Sequence, residues 1–368
     1  MRKLYHSRDM LLIKQYIKIH KKAIIFLTVF LVILLLFLRP ILPYLPQTFN
    51  IAKNFFTSTA SDLRSHNGRT NVLVLGLGGP KNEPSGLTDT IIFASIDAKT
   101  NQVLLLSIPR DVWIPQMRAK INSAYYYGNR ADGVGMEWAR DFTSEIVGQP
   151  VHYVVVVSFS GFIEMIDLLG GVDVIVDRGF KDERYPIPGR EVADCEGDSE
   201  VLCRYESISF EEGRQHLDGS RALKFARSRN AEGDEGTDFA RSMRQQKIIL
   251  AVKEKMLSPW FFLEPTRVSR SVEIMGRSVE TDIPESSFAS FVHLALSAQG
   301  GNIRSEVLND GVESLGLLIN PPLSAKHDNQ WVLVPTDGDW EPTREWVECL
   351  LLGKECPAGD FTREIKGQ

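Results

Sequence analysis

The sequence predicts an α/β domain carried behind a single membrane anchor. Three observations carry this: short apolar strands alternate with helical segments through the middle of the chain, one uninterrupted apolar run stands near the N-terminus, and four cysteines follow it in two close pairs.

The anchor comes first. Ala23 to Leu38 is apolar throughout and is flanked by Lys18, Lys21 and Lys22 before and Arg39 after. At 1.5 Å per residue such a run spans about 24 Å, and snorkelling lysines supply the rest of a roughly 30 Å bilayer core. Residues 1–22 hold seven Lys and Arg against the single acid Asp9. The positive-inside rule therefore keeps 1–22 cytoplasmic, makes 23–39 the membrane-spanning signal anchor, and puts everything after Pro40 outside the cell membrane. Arg39-Pro40-Ile41-Leu42-Pro43 offers no small-x-small cleavage site, which favours a retained anchor over a cleaved signal peptide. Residues 40–70 mix aromatic, Ser, Asn and Arg residues without a sustained period and read as a juxtamembrane stalk.

The folded core is expected over 71–258. Asn71 to Leu77, Thr90 to Ile96 and Val103 to Ile108 read as strands, the last two joined by a turn at Asp97-Ala98-Lys99-Thr100-Asn101. Gly135 to Val147 reads as a helix, Val151 to Val157 as a buried strand, Phe159 to Leu169 as a helix stopped by Gly170-Gly171, and Val172 to Val176 as another strand. Residues 178–209 read as an inserted loop or hairpin. Beyond it, 259–368 contains an amphipathic stretch at Phe288 to Leu296 and a strand at Trp331 to Val334, assigned as additions that close the same domain.

Cys195 and Cys203 lie eight apart, and Cys349 and Cys356 seven apart, all in polar loops containing Gly or Pro. In an oxidising compartment this favours two small disulfide loops over a metal site, with four free thiols as the alternative.

Setting aside the basic residues up to Arg39 and Asp9 leaves 34 basic against 46 acidic residues outside. So acidic a body excludes a general nucleic-acid surface. Within it, four arginines fall between 227 and 244: Arg227-Ser228-Arg229, then Arg241 and Arg244. Thr237 to Leu257 has helical period, with Phe239, Met243, Leu250 and Leu257 on a face expected to meet the core and Asp238, Arg241 and Gln245 on nearly the opposite face. Thr237 or Asp238 would cap a helix start whose dipole favours an anion. Guanidinium forks suit paired phosphates, so the cluster reads as a phosphate clamp, with a solvated face paired to Glu232, Asp234 and Glu235 as the alternative. There is no Gly-x-Ser-x-Gly elbow and no His-Glu-x-x-His, and the seven histidines are scattered, so no covalent nucleophile stands out.

Six blocks in order resemble the LytR-CpsA-Psr family of bacterial cell-envelope enzymes over roughly residues 70–258. They are Leu87-Thr88-Asp89-Thr90, Ser107-Ile108-Pro109-Arg110-Asp111, Lys120-Ile121-Asn122-Ser123-Ala124-Tyr125, Phe159-Ser160-Gly161-Phe162 leading to Leu169-Gly170-Gly171-Val172, Leu217-Asp218-Gly219 leading to Arg227-Ser228-Arg229, and Asp238-Phe239-Ala240-Arg241 leading to Arg244-Gln245-Gln246. The resemblance implies an α-β-α sandwich with a central mixed sheet. It also implies a phosphotransferase that moves a glycopolymer from an undecaprenyl-pyrophosphate lipid to a peptidoglycan or other wall hydroxyl through a phosphodiester, with Mg²⁺. By that resemblance Arg110, Arg227, Arg229, Arg241 and Gln245 hold the pyrophosphate, Asp89 is a magnesium ligand, and Asp238 orders the arginines or metal-side water.

The chain departs from the family pattern at two places. Gly76-Leu77-Gly78-Gly79 stands where better-known members have an aspartate, and Leu87 where they have an arginine. Asp111 is the candidate for the missing carboxylate, or else a structural partner of Arg110. Val154 to Val157, Phe159, Phe162, Met165 and Ile166 are candidates for a polyprenyl groove or for ordinary core. Lys120, Asn122 and Tyr125 either line the acceptor side or cap a loop. The rival functions are a non-catalytic scaffold or regulator that binds polyprenyl phosphate or wall polymer, and a pyrophosphatase in which water replaces the sugar hydroxyl.

Overall fold

The computed structural model describes residues 59–357, apart from 60–61, 79–85, 188, 191–192, 199, 299–300 and 309–315 and the side chains of residues 238, 259, 262 and 265. The segments expected to be cytoplasmic and membrane-spanning, and the expected stalk up to residue 58, lie outside the described residues, among which no helix is long and apolar enough to cross a membrane.

The chain enters on β1 (Arg69–Leu77), whose alternation sends Leu73, Leu75 and Leu77 to one face and Val72 and Val74 to the other. It turns into β2 (Thr88–Asp97) and β3 (Val103–Ser107), the second turn fixed by Asp97 Oδ1 accepting from the N–H groups of Lys99 and Thr100. A short ribbon follows, β4 (Trp113–Ile114) and β5 (Ala119–Lys120), then α1 (Ala124–Ala131) and α2 (Gly135–Val147). Next come β6 (Tyr153–Ser158), α3 (Phe159–Leu168), β7 (Val172–Val176), the hairpin β8 (Phe180–Pro186) and β9 (Tyr205–Phe210), and β10 (Gly213–Leu217). Then α4 (Gly219–Arg227), α5 (Asp238–Met256), α6 (Pro259–Phe262) and α7 (Pro265–Ser278) lead to β11 (Val279–Thr281), α8 (Phe288–Ser297), β12 (Ile303–Val307), β13 (Leu318–Ile319), β14 (Val334–Pro335) and α9 (Glu341–Leu351).

The central sheet runs β11-β6-β1-β2-β3-β12 and is mixed: β1 lies parallel to β6 and β3 to β12, while the other neighbours are antiparallel. Both edge strands come from after residue 258. On one face, Leu73, Leu75, Phe93, Leu104, Leu106, Val154 and Val156 pack with Ile146 and Val147 of α2 and Trp346, Val347 and Leu350 of α9. On the other, Val72 and Tyr153 meet Leu294 of α8, and Ile92, Ala94 and Leu105 meet Ile249 and Leu250 of α5. Helices thus cover both faces.

A separate core joins α3, α4, α5 and the hairpin, with Phe180, Phe210 and Phe225 in mutual ring contact. Residues 178–209 therefore form a hairpin, and its tip carries the disulfide Cys195–Cys203. Cys349–Cys356 closes the end of α9, where Trp346 Nε1 donates to the Cys356 carbonyl at 2.8 Å.

Two expectations need correction. Phe239 does not meet the core: it is 55 % exposed, while Arg241, Ser242, Arg244, Gln245 and Gln246 are buried. The first half of α5 is turned inward on its polar side because that side finds main-chain carbonyls to bond. Trp331 and Val332 precede the strand, which is only Val334–Pro335. Of the candidates for a polyprenyl groove or ordinary core, Val154, Val156 and Ile166 are core, because the sheet and α3 bury them completely.

Burial sets one pH dependence. His152 accepts the Asn71 N–H on Nδ1 at 2.9 Å, and desolvation, followed by the neighbouring Arg64 and His66, lowers its pKa. The folded state therefore prefers the neutral ring. Stability from this site is present above the unfolded pKa of about 6.5 and is lost as pH falls from there toward the lower folded value. The midpoint of thermal unfolding should drop between about pH 7 and pH 5, and His152→Gln should flatten that part of the profile; an unchanged slope would remove His152 as its cause.

Candidate functional site

Asp89 lies near the start of β2, where the sheet ends and the first two resemblance blocks meet. Its Oδ1 accepts from Arg110 Nη1 at 2.7 Å, and its Oδ2 stands 3.8 Å from Arg227 Nη2. All three side chains are roughly a quarter exposed, enough for a ligand to reach and little enough to strengthen each charge contact. Gly78 backs onto the same carboxylate: a Cβ there would come within 3.0 Å of Asp89 Oδ2. Glycine at that point keeps space open beside the acid.

Arg110 follows β3 and also faces Asp111, whose Oδ2 is 3.4 Å from its Nε. Asp111 Oδ1 in turn holds Lys120 Nζ at 2.5 Å. Asp111 is thus engaged on both oxygens by cations, which is the structural-partner arrangement. Thr88 Oγ1 donates to the Asn122 carbonyl, and Tyr125 Oη donates to Glu280 Oε2 at 2.7 Å, with burial first and Glu280 second pushing the Tyr125 pKa up. Asn122 and Tyr125 therefore brace the loop.

Arg227 reaches the site from the last turn of α4, a position the helix dipole favours for a cation. Its guanidinium lies 4.4 Å over the Phe159 ring and 6.0 Å from the Tyr185 ring. The sequence explains this placement. Asp218 caps α4 by accepting from Arg221 N–H at 2.8 Å, and Gly219 lets α4 approach α3 so closely that a Cβ would lie 2.3 Å from the Ile163 carbonyl oxygen.

Arg241 and Gln245 sit one turn apart on α5, both buried, and Gln245 Nε2 donates to the Ala226 carbonyl beside Arg227 at 3.3 Å. Thr237 is the cap, accepting from Ala240 N–H at 3.1 Å. Asp238 opens α5, and its side chain lies outside the described residues. Arg229 is exposed and is held through its main chain. The structure thus brings Asp89, Arg110 and Arg227 into contact, places Gln245 against the Arg227 turn with Arg241 on the same helix face, and leaves Arg229 outward.

One support escaped the sequence reading. Asp182, fully buried on β8, gathers the arginine turn: its Oδ2 accepts from Ser228 Oγ at 2.7 Å and from Arg229 and Asn230 N–H, each at 3.2 Å. Period-two alternation with Phe180 was the available signal, hidden in the charged run Lys181-Asp182-Glu183-Arg184. Arg244 corrects an expectation: counted among the clamp arginines, it is buried and holds the arginine turn instead of facing a ligand. Its guanidinium donates to the carbonyls of Phe225, Ser228 and Glu235 and to Glu235 Oε2, while burial pushes its pKa down and Glu235 pulls it back up.

Among the described residues no group of three or more Asp, Glu, His or Cys could cage a metal alone. A hard cation here would take Asp89 and complete its shell with phosphate oxygens and water, a donor set that suits magnesium.

The sequence profile of the LytR_cpsA_psr family matches residues 47–317. The chain belongs to this family. Among similar LytR_cpsA_psr proteins is a polyisoprenyl-teichoic acid–peptidoglycan teichoic acid transferase, TagU, of Oceanobacillus iheyensis, 30% identical over 217 residues, which are 58% of this chain and 58% of the relative. The match thus spans little more than half the length of that relative. The solved structure of TagV from Bacillus subtilis shares the fold at TM-score 0.54 and 23% identity, over 79% of this chain and 100% of that one. TagT bound to LIIa-WTA is similar at TM-score 0.50 and 18% identity, over 77% and 90% of the two chains.

Proposed function

We propose that this protein transfers a glycopolymer from an undecaprenyl-pyrophosphate carrier to a hydroxyl of peptidoglycan or another wall polymer, forming a phosphodiester. The observation that carries this reading is the convergence of Arg110 and Arg227 on Asp89, two cations from separate elements meeting at one half-buried carboxylate. Family membership and the transferase name of the Oceanobacillus iheyensis relative support it.

In the reaction the acceptor hydroxyl oxygen bonds to the sugar-linked phosphorus, the bond from that phosphorus to the bridging oxygen breaks, polyprenyl monophosphate leaves, and the hydroxyl proton passes to water. Arg110 and Arg227 bind the two phosphates and neutralise charge that builds on them, with Arg241 and Gln245 backing the same turn. Phe159 and Tyr185 shield Arg227 from water on one side, which strengthens its pull. Asp89 would hold Mg²⁺, which when bound supplies further positive charge to the phosphate oxygens. The apolar run at 23–38 would keep the domain at the outer surface of the cell membrane, single-pass with its N-terminus inside, where the carrier lipid is.

The test is turnover by the full-length protein in detergent, with a polyprenyl-pyrophosphoryl oligosaccharide and peptidoglycan fragments. Product formation should stop on adding a chelator and return with Mg²⁺. Turnover that ignores the chelator would remove the metal from the account, and lipid binding with no product would favour a scaffold.

A further inference from the structure

We propose that the protein binds an uncharged oligosaccharide beside its phosphate site, in a cleft of about 630 Å³ lined by Trp113, Gln116 and Trp340. This rests on the transferase reading only for the source of the sugar.

The phosphate cluster has two unlike ends. At one, Arg227 lies against the rings of Phe159 and Tyr185. At the other, Arg110 leads through Asp111 to Lys120, whose Nζ lies 6.0 Å from the Trp331 ring centre. Lys120 is paired across the β4–β5 ribbon with Trp113, so the two side chains share one face. Trp113 lines the cleft, which therefore begins one cross-strand pair from the phosphate cluster.

The lining suits sugar and not a polyanion. Glu145 accepts from Gln116 Nε2 at 3.2 and 3.3 Å, and the Glu145 carbonyl accepts from Arg344 Nε at 2.9 Å. Arg344 also lies 3.8 Å from Glu341. Three lining carboxylates, Glu145, Asp339 and Glu341, stand against Lys326 and Arg344, so the cleft offers no net positive surface to a string of phosphates. What remains is indole surface beside planar donors and acceptors, the pairing that meets the C–H face and the hydroxyls of a pyranose.

The cleft is preorganised by the tail of the chain. Trp113 N–H donates to the Leu333 carbonyl at 2.8 Å, and Leu333 N–H donates to the Asp111 carbonyl at 3.0 Å. Buried His327 meets the Trp113 ring edge-on at 5.5 Å. The segment supplying His327, Trp331 and Trp340 is thus stitched to the residue that links Arg110 to Lys120, and it lies beyond the part matched by the family profile.

Two sources could present such a sugar, the acceptor glycan or the donor polymer. The experiment uses the full-length protein in detergent with N-acetylated chitotetraose as the probe, read by tryptophan fluorescence and calorimetry. The wild type should bind it. Trp340→Ala and Gln116→Ala, both in the cleft lining, should weaken binding about tenfold, while Arg227→Ala binds the probe as the wild type does. In steady-state assays the same two variants should raise KM for the acceptor if the cleft holds the acceptor, or for the donor if it holds the polymer. Unchanged probe affinity together with unchanged KM for both substrates overturns the proposal. Probe binding by a wild type that forms no product would overturn the transferase reading and leave the cleft standing.

Discussion

Replacing Arg244 by methionine should lower the stability of the domain by about 3 kcal/mol and its unfolding midpoint by about 6–10 °C. The reason is the number of groups that depend on one guanidinium. Arg244 is 4 % exposed and satisfies the carbonyls of Phe225 and Ser228 at the end of α4, the Glu235 carbonyl, and the Glu235 carboxylate at 2.8 Å. Methionine keeps the packing against the Phe180 ring, which the guanidinium now overlies at 4.5 Å, and leaves the carbonyls without that donor. Lysine should not rescue, because one ammonium cannot reproduce a planar fork aimed at separate acceptors. Calorimetry decides it; a midpoint within about 1 °C of wild type would mean that water or other donors replace the side chain.

Arg227→Ala should reduce transfer by about 10²- to 10³-fold while leaving the unfolding midpoint near that of the wild type. Arg227 differs from Arg244 in where its charge points: it is 23 % exposed, reaches Asp89 at the open site, and lies against the rings of Phe159 and Tyr185. Comparing the two variants separates a residue that holds the arginine turn from one that the turn presents. Transfer at the wild-type rate in Arg227→Ala would remove the clamp from the mechanism.

Periodicity made much of the scaffold readable. The strands at 71–77, 90–96 and 103–107 and the helix at Gly135–Val147 have long apolar patterns with clear stops, so local pattern and tertiary burial agree. The edge strands β11 and β12 are short and half-buried, and the ribbon β4–β5 has two residues a side; none carries enough pattern to read. The helix α5 misled for a physical reason. Its arginines and glutamines count as outward-facing on any hydropathy scale, yet Arg244, Gln245 and Gln246 are buried because each finds carbonyl acceptors, Gln246 Nε2 bonding to Leu105 O, Glu306 O and Ser107 Oγ. At the site, Asp89, Arg110 and Arg227 were legible as residue types within motifs. That Arg227 meets Asp89 across 138 positions of sequence depends on Asp182, Gly219 and Phe159, whose roles appear only once the chain is folded.

The most direct test of the central claim is the identity of the bond made. Full-length protein is incubated with a polyprenyl-pyrophosphoryl oligosaccharide and a peptidoglycan fragment, and the products are resolved by mass spectrometry and phosphorus NMR. A phosphodiester joining oligosaccharide to fragment, with polyprenyl monophosphate released in equal amount, is the expected result. An oligosaccharide phosphate with a free monoester, or no release of polyprenyl monophosphate at all, would contradict it.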